Sequence, residues 1–149
     1  MDETILVAVD DSDSANDVLE RAMAFAAATG GDLHVLTVVE PRRSRLAFGI
    51  SEVDDLNTAT ASLADHVAEA YDGYSVDVHA EVRRGRPAAE ILSHADEIGA
   101  TLLVVGRHGT TGLPRALLGS TADRLTRLSR VPVVLVPGPD ADDEGEPRR

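Results

Sequence analysis

Cysteine, lysine and tryptophan are absent from the 149 residues, and two Tyr and two Phe are the whole of the Phe, Tyr and Trp content. The first absence removes disulfides, thiolate chemistry and any zinc or iron–sulfur site built on cysteine. The second removes the residue on which a Walker A phosphate loop depends. No run of eighteen apolar residues occurs, and Asp2 and Glu3 stand where a leader peptide carries positive charge. A soluble, cytoplasmic chain without a membrane span is therefore expected. A G-x-G-x-x-G turn after the first apolar run is missing as well. That position reads Asp10-Asp11-Ser12-Asp13, which repels pyrophosphate unless a metal intervenes. There is no G-x-S-x-G nucleophile elbow. The five histidines, His34, His66, His79, His94 and His108, include no His-x-x-x-His metal pair, and each taken alone reads as structural.

Charge of one sign is abundant. Twenty-six acids face fourteen basic residues, all Arg, for a net charge of −12. Such a chain repels polyanions, which argues against nucleic-acid binding. An acidic, lysine-free surface also resembles those of proteins adapted to a salt-rich cytoplasm. Stability is expected to rise steeply with added salt, and a melting temperature that stays flat from dilute buffer to molar salt would contradict a halophilic origin. The charge is unevenly placed: residues 1–82 carry 4 Arg against 17 acids, whereas residues 83–137 carry 8 Arg against 4 acids. A small anion is tolerated in that second half even though the whole molecule is acidic. Arg124, Arg127 and Arg130 at helical spacing account for part of the excess as an ion-paired helix face.

The apolar pattern alternates between strands and helices. Ile5 to Val9 reads as a buried parallel strand ending at Asp10 and Asp11. A helix follows, capped by Ser12 or Ser14, with Val18, Leu19, Ala22, Met23 and Ala26 on one stripe and Gly30-Gly31 at its end. Leu33 to Val39 is a second strand. Glu40 to Ser51, with Arg42, Arg43 and Arg45, reads as a long loop. Leu56, Thr60, Leu63, Val67 and Ala70 mark the next helix, and Val76, Val78, Ala80 and Val82 alternate as a half-exposed edge strand. Pro87 opens a third helix with Ala88, Ile91, Leu92, Ala95 and Ile98 inward and Gly99 as its stop. The sequence after Pro137 is acidic and almost devoid of apolar residues, so residues 138–149 are expected to be a disordered tail behind a single domain of residues 1–137.

The most informative stretch runs from Thr101 to Pro137. Leu102 to Val105 is a strand, Gly119-Ser120-Thr121 leads into Ala122, Leu125 and Leu128 at helical spacing, and Val133 to Val136 closes a βαβ crossover. A helix start offers unpartnered N–H groups and partial positive charge to an anion. Glycines let the backbone approach it, the Ser120 hydroxyl adds a donor, and Arg107 or Arg115 adds charge. Ser120 serving only as a helix cap is the alternative. The order βαβαβαβαβ folds with right-handed crossovers into a doubly wound, five-stranded parallel sheet, order 3-2-1-4-5. Ligands of such α/β sheets bind where the order reverses, which brings Asp10 and Gly106 together.

Gly106, two residues, Gly109, nine residues, Gly119 and then Ser120 form a spaced pattern. With glycine at about 7% of residues, three at fixed spacing occur by chance in roughly one chain in twenty of this length. The pattern resembles the G-x2-G-x9-G-[ST] motif of the universal stress protein (UspA-like) family, in its ATP-binding branch. That resemblance implies an adenine-nucleotide alpha-hydrolase-like (Rossmann-like) fold and a dimeric, ATP-binding stress-response module, with Mg²⁺ as an optional companion of the phosphates. It implies that Asp10 binds the ribose or adenine edge and that the Val38 backbone meets adenine. Gly106, Gly109, Gly119 and Ser120 would hold ribose and phosphates, with Arg107 and Thr121 beside them. Many relatives place a basic residue after the second motif glycine, where this chain has Thr110, so Arg107 or Arg115 is the cation available. The resemblance also makes Val133 to Val136 the candidate strand for pairing two subunits, in keeping with a short apolar edge strand. Slow ATP hydrolysis, with Asp10, Asp11 or His108 as base, and a nucleotide-independent interaction protein are the other readings.

Overall fold

The computed structural model describes residues 3–10, 15–40, 51–108 and 117–138. Strand β1 (Thr4–Ala8) is followed by α1 (Ala15–Thr29), β2 (Asp32–Val39), α2 (Ser51–Ala70), β3 (Val78–Arg84), α3 (Pro87–Ile98), β4 (Leu102–Gly106), α4 (Ser120–Leu128) and β5 (Val133–Val136). All neighbouring strands are parallel and the order is β3-β2-β1-β4-β5, as the alternating pattern predicts. Among the described residues no helix is long and apolar enough to cross a membrane.

Each strand divides its side chains between two cores, because successive residues point to opposite faces. Ile5, Val7, Leu33, Val35 and Val104 pack under α1 and α2, against Val18, Leu19, Ala22, Met23, Ala26 and Val67. Leu6, Leu36, Leu103 and Val105 pack on the other face against Ala88, Ile91 and Ala95 of α3 and Ala122 and Leu125 of α4. The central strands are buried on both faces, which is why they read as continuous apolar runs. Crossovers that lead from β1 towards β3 thus lie on one face, and those that lead from β3 back towards β5 lie on the other.

The five-residue stripe expected on α1 is the buried stripe observed. Gly99 ends α3 in the left-handed region at φ 67°, a conformation that glycine adopts without a Cβ penalty. Several details differ from the sequence reading: β1 ends at Ala8 and not Val9, β4 runs on to Gly106, and α2 already begins at Ser51, which was expected to close the loop. The first two strands begin one residue earlier, at Thr4 and Asp32, because the Asp32 N–H already reaches the Glu3 carbonyl at 3.0 Å. Strand β3 starts only at Val78, although Val76 still packs on the first core. Ala70 and Leu128 keep the helical spacing but are exposed, Leu128 by 52%, and each is the last residue of its helix. Thr60, expected on an apolar stripe, turns its hydroxyl to the edge of the sheet and accepts the Val82 N–H at 3.1 Å. The Ser12 or Ser14 cap, Asp11, the Arg42, Arg43 and Arg45 loop, Gly109, Thr110, Arg115 and the tail beyond Gly138 lie outside the described residues.

Candidate functional site

Strand β1 is shorter at its carboxyl end than its neighbours. Its last pair with β2 is Ala8 with Leu36, and the ladder gains one more bond when the Val9 N–H reaches the Leu36 carbonyl at 2.9 Å. Strand β2 continues to Val39, alongside β3. In a parallel ladder the main-chain groups of alternate residues face opposite neighbours. The Val39 carbonyl accepts from Gly85 on the β3 side, at 3.0 Å, so the N–H and C=O of Val38 face the side on which β1 has ended. Gly106 is the mirror case on β4. Arg107 donates its N–H to Val136 of β5 at 2.9 Å, which leaves the main chain of Gly106 facing β1. Val38 and Gly106 therefore flank a notch in the sheet, and exposed Asp10 stands at the end of the strand that forms its floor.

The helix start is held at the same place. The N–H of Gly119 donates to the Arg107 carbonyl at 3.0 Å, and the His108 Nε2–H donates to the Leu117 carbonyl. These two bonds clasp the connection between β4 and α4 at its base. They bring Gly106 and Arg107 beside Gly119 and Ser120, the two ends of the glycine pattern. His108, a candidate base on sequence grounds, spends its Nε2 proton on this clasp.

Gly119 is the buried N-cap of α4, with φ −65° and ψ 155°, and no side chain caps the helix. The alternative in which Ser120 serves only as a cap is therefore not the one observed; Ser120 is the first helical residue and is exposed. The first bond of the helix runs from the Asp123 N–H to the Gly119 carbonyl at 2.8 Å. The N–H groups of Ser120, Thr121 and Ala122 precede it and lack helical partners, the arrangement that favours an anion. Asp123, the acid in this first turn, pairs with Arg127 at 3.1 Å on the exposed side of the helix, which lessens its repulsion of a nearby anion. Half-buried Arg107 and Thr121 complete the described part of the site. The donor set suits a phosphate or carboxylate, and it sits at the point where the crossovers change face, the position at which open α/β sheets take ligands.

Topology on its own leads to the expectation that Asp10 and Gly106 meet, and the structure pairs β1 with β4, the two strands whose carboxyl ends these residues follow or close. Topology did not predict the orientation of the Val38 and Gly106 main chains, which depends on where β1 stops relative to both neighbours. A second polar cluster went unread altogether. His34 of β2 pairs in register with His79 of β3, and their rings stack with centroids 4.5 Å apart. His94 of α3 meets His34 edge-on at 6.3 Å. The available signal was a histidine inside the apolar stripe of α3, at the spacing of Ile91 and Ala95.

Comparison with known proteins agrees with this fold. The profile of the Universal stress protein family matches residues 1–137. Universal stress protein MJ0531 of Methanocaldococcus jannaschii is 31% identical over 141 residues, spanning 91% of this chain and 82% of the relative. Universal stress protein YxiE of Bacillus subtilis is 29% identical over 143 residues, spanning 89% and 97%. Among solved structures, MJ0577 of M. jannaschii superposes with a TM-score of 0.78 at 25% identity, over 92% of this chain and 96% of that one. A universal stress protein in complex with cAMP superposes with a TM-score of 0.67 at 28% identity, over 90% and 96%.

Proposed function

This chain belongs to the universal stress protein family, and from that premise we propose that it binds an adenine nucleotide, ATP in the first instance, in the notch at the end of β1. The observation that carries the proposal is the Arg107–Gly119 bond, which sets the first-turn N–H groups of α4, without partners inside the helix, near the end of β4 where the sheet reverses. In this reading the Val38 main chain meets the adenine and Asp10 the ribose or adenine edge. Gly106, Gly109, Gly119, Ser120 and Thr121 surround ribose and phosphates, and Arg107 adds a charge-assisted bond. The paired carboxylates Asp10 and Asp11 would hold a Mg²⁺ that accompanies the phosphates. The cAMP complex of a structural relative favours the adenine nucleotide class.

Binding would act by favouring one conformation or partner surface rather than by turnover. Half-buried Val133, Val134 and Leu135 on the edge strand β5 are the surface at which two copies would pair. The test is mass spectrometry of nucleotide released from freshly purified, acid-denatured protein, followed by ATP titration with Mg²⁺ in molar salt. Adenine nucleotide that co-purifies or titrates is the expected result; the absence of both would refute the proposal. Gly109→Val is expected to weaken binding by about a hundredfold or more, roughly 2.7 kcal/mol, by setting a branched side chain where phosphate must lie. Its circular dichroism should match the wild type, and wild-type affinity in this variant would remove Gly109 from the site.

A further inference from the structure

We propose that His34, His79 and His94, gathered where β2, β3 and α3 meet, form a proton-operated latch that holds α3 and the β3 edge to the sheet when neutral and releases them when protonated. The three rings come from three separate elements. His34 and His79 stack with centroids 4.5 Å apart and planes inclined by 22°, and His94 closes on His34 at 6.3 Å. Among the described residues His94 is the buried polar or charged side chain, at 6% exposure. Arg83 Nη1 lies 3.2 Å from His94 Nδ1, and because a guanidinium only donates, the two are hydrogen-bonded when Nδ1 carries its lone pair.

A proton added at His94 Nδ1 removes that acceptor and faces a cation. Glu97 is poised as the replacement, with Oε1 3.6 Å from His94 Nδ1 and Oε2 3.3 Å from Arg83 Nη2. Protonation thus exchanges the partners of His94, leaving Arg83 to Glu81 at 3.6 Å and Glu90 at 3.4 Å. The His34–His79 stack has no such replacement, since two imidazolium rings at this distance repel. The groups that face His34 are Asp32 on its own strand, His79 and Glu81 on β3, and His94 on α3. Burial, then the charges of His79 and His94, outweigh Asp32 and Glu81 and hold the His34 pKa below its ordinary 6.5. The unfolded edge therefore takes up the proton more readily than the folded one. The stabilisation is complete above about pH 6.5 and is lost as pH falls towards the depressed value of His34.

Among the described residues no three His, Asp or Glu side chains are arranged to hold a metal ion. His94 is buried and His34 half-buried, so salt screens this cluster less than it screens charges at an exposed site.

The test is amide hydrogen exchange of the full chain in molar salt at pH 7.5 and 5.5, read as protection factors corrected for intrinsic exchange chemistry. One linked proton changes an opening equilibrium by at most about tenfold per pH unit. Protection of residues 78–98 is expected to fall at pH 5.5, by up to about tenfold, while residues 4–8 and 102–106 hold theirs. His34→Phe and His79→Gln should each flatten that response; His79 is exposed, so its variant carries the test where the other fails to fold. An equal loss across the whole sheet, or a response unchanged in His79→Gln, would overturn the proposal. So would Zn²⁺ that raises protection of this segment at pH 7.5 in the wild type and not in His79→Gln, since the cluster would then be a metal site.

Discussion

Leu125→Ala is expected to lower the unfolding free energy by about 3 kcal/mol and the melting temperature by about 6 to 12 °C, read by thermal or urea unfolding in molar salt. Leu125 is fully buried and anchors α4 against the second core, with Leu103 and Val105 of β4 in the same cluster. Its removal leaves a cavity beneath the helix whose first turn borders the notch. Leu33→Ala makes the control. Leu33 is equally buried, in the first core beneath α1 and α2, and its loss should cost about the same stability. The two variants separate in ligand binding. Leu125→Ala loosens the N-terminus of α4 and should weaken nucleotide retention at temperatures where both proteins remain folded, whereas Leu33→Ala should not. Equal affinities in the two variants would mean that α4 does not position the phosphates.

Gly31→Ala is the second large effect, about 3 kcal/mol of destabilisation. A Cβ placed on Gly31 would stand 2.4 Å from the Glu3 carbonyl oxygen and 2.8 Å from the Glu3 Cβ. Neither neighbour can give way cheaply, because that carbonyl accepts the Asp32 N–H at 3.0 Å and starts the β1–β2 ladder. Overpacking against fixed backbone costs about 1–3 kcal/mol, and this site belongs at the upper end. Gly30 differs in kind. It has φ 73° and nothing within 4 Å of an added Cβ, so Gly30→Ala meets only the left-handed backbone penalty of about 1 kcal/mol. Urea denaturation of both variants distinguishes the two roles; equal losses would mean that crowding against Glu3 is relieved by a shift of the amino-terminal strand.

That glycine pair shows what a sequence can and cannot display. Both residues read as a helix stop, which describes Gly30; the reason for Gly31 lies 28 positions away, where the Glu3 backbone passes. The strands and the α1 stripe were legible because burial on two faces, or on one face of a helix, imposes a period that any reader can find. Leu128, the last residue of its helix, obeys its period and is exposed all the same. The glycine spacing marked the candidate site, and strand order brought Asp10 to it. What stayed hidden was relational: the early end of β1, the Arg107–Gly119 bond, and the in-register pairing of His34 with His79, which depends on a register that no local pattern carries.

The Thr60 hydroxyl on the Val82 N–H bears on assembly. A parallel sheet has two free margins, and a chain with both open can recruit copies without limit. Here one margin carries a helix and a threonine that occupies one of its outward N–H groups, while the other ends in four apolar residues. A strand that approached β3 would have to displace this bond, so the β3 margin is the less open of the two to an added strand. If copies meet at all, β5 is the margin at which they would do so at less cost.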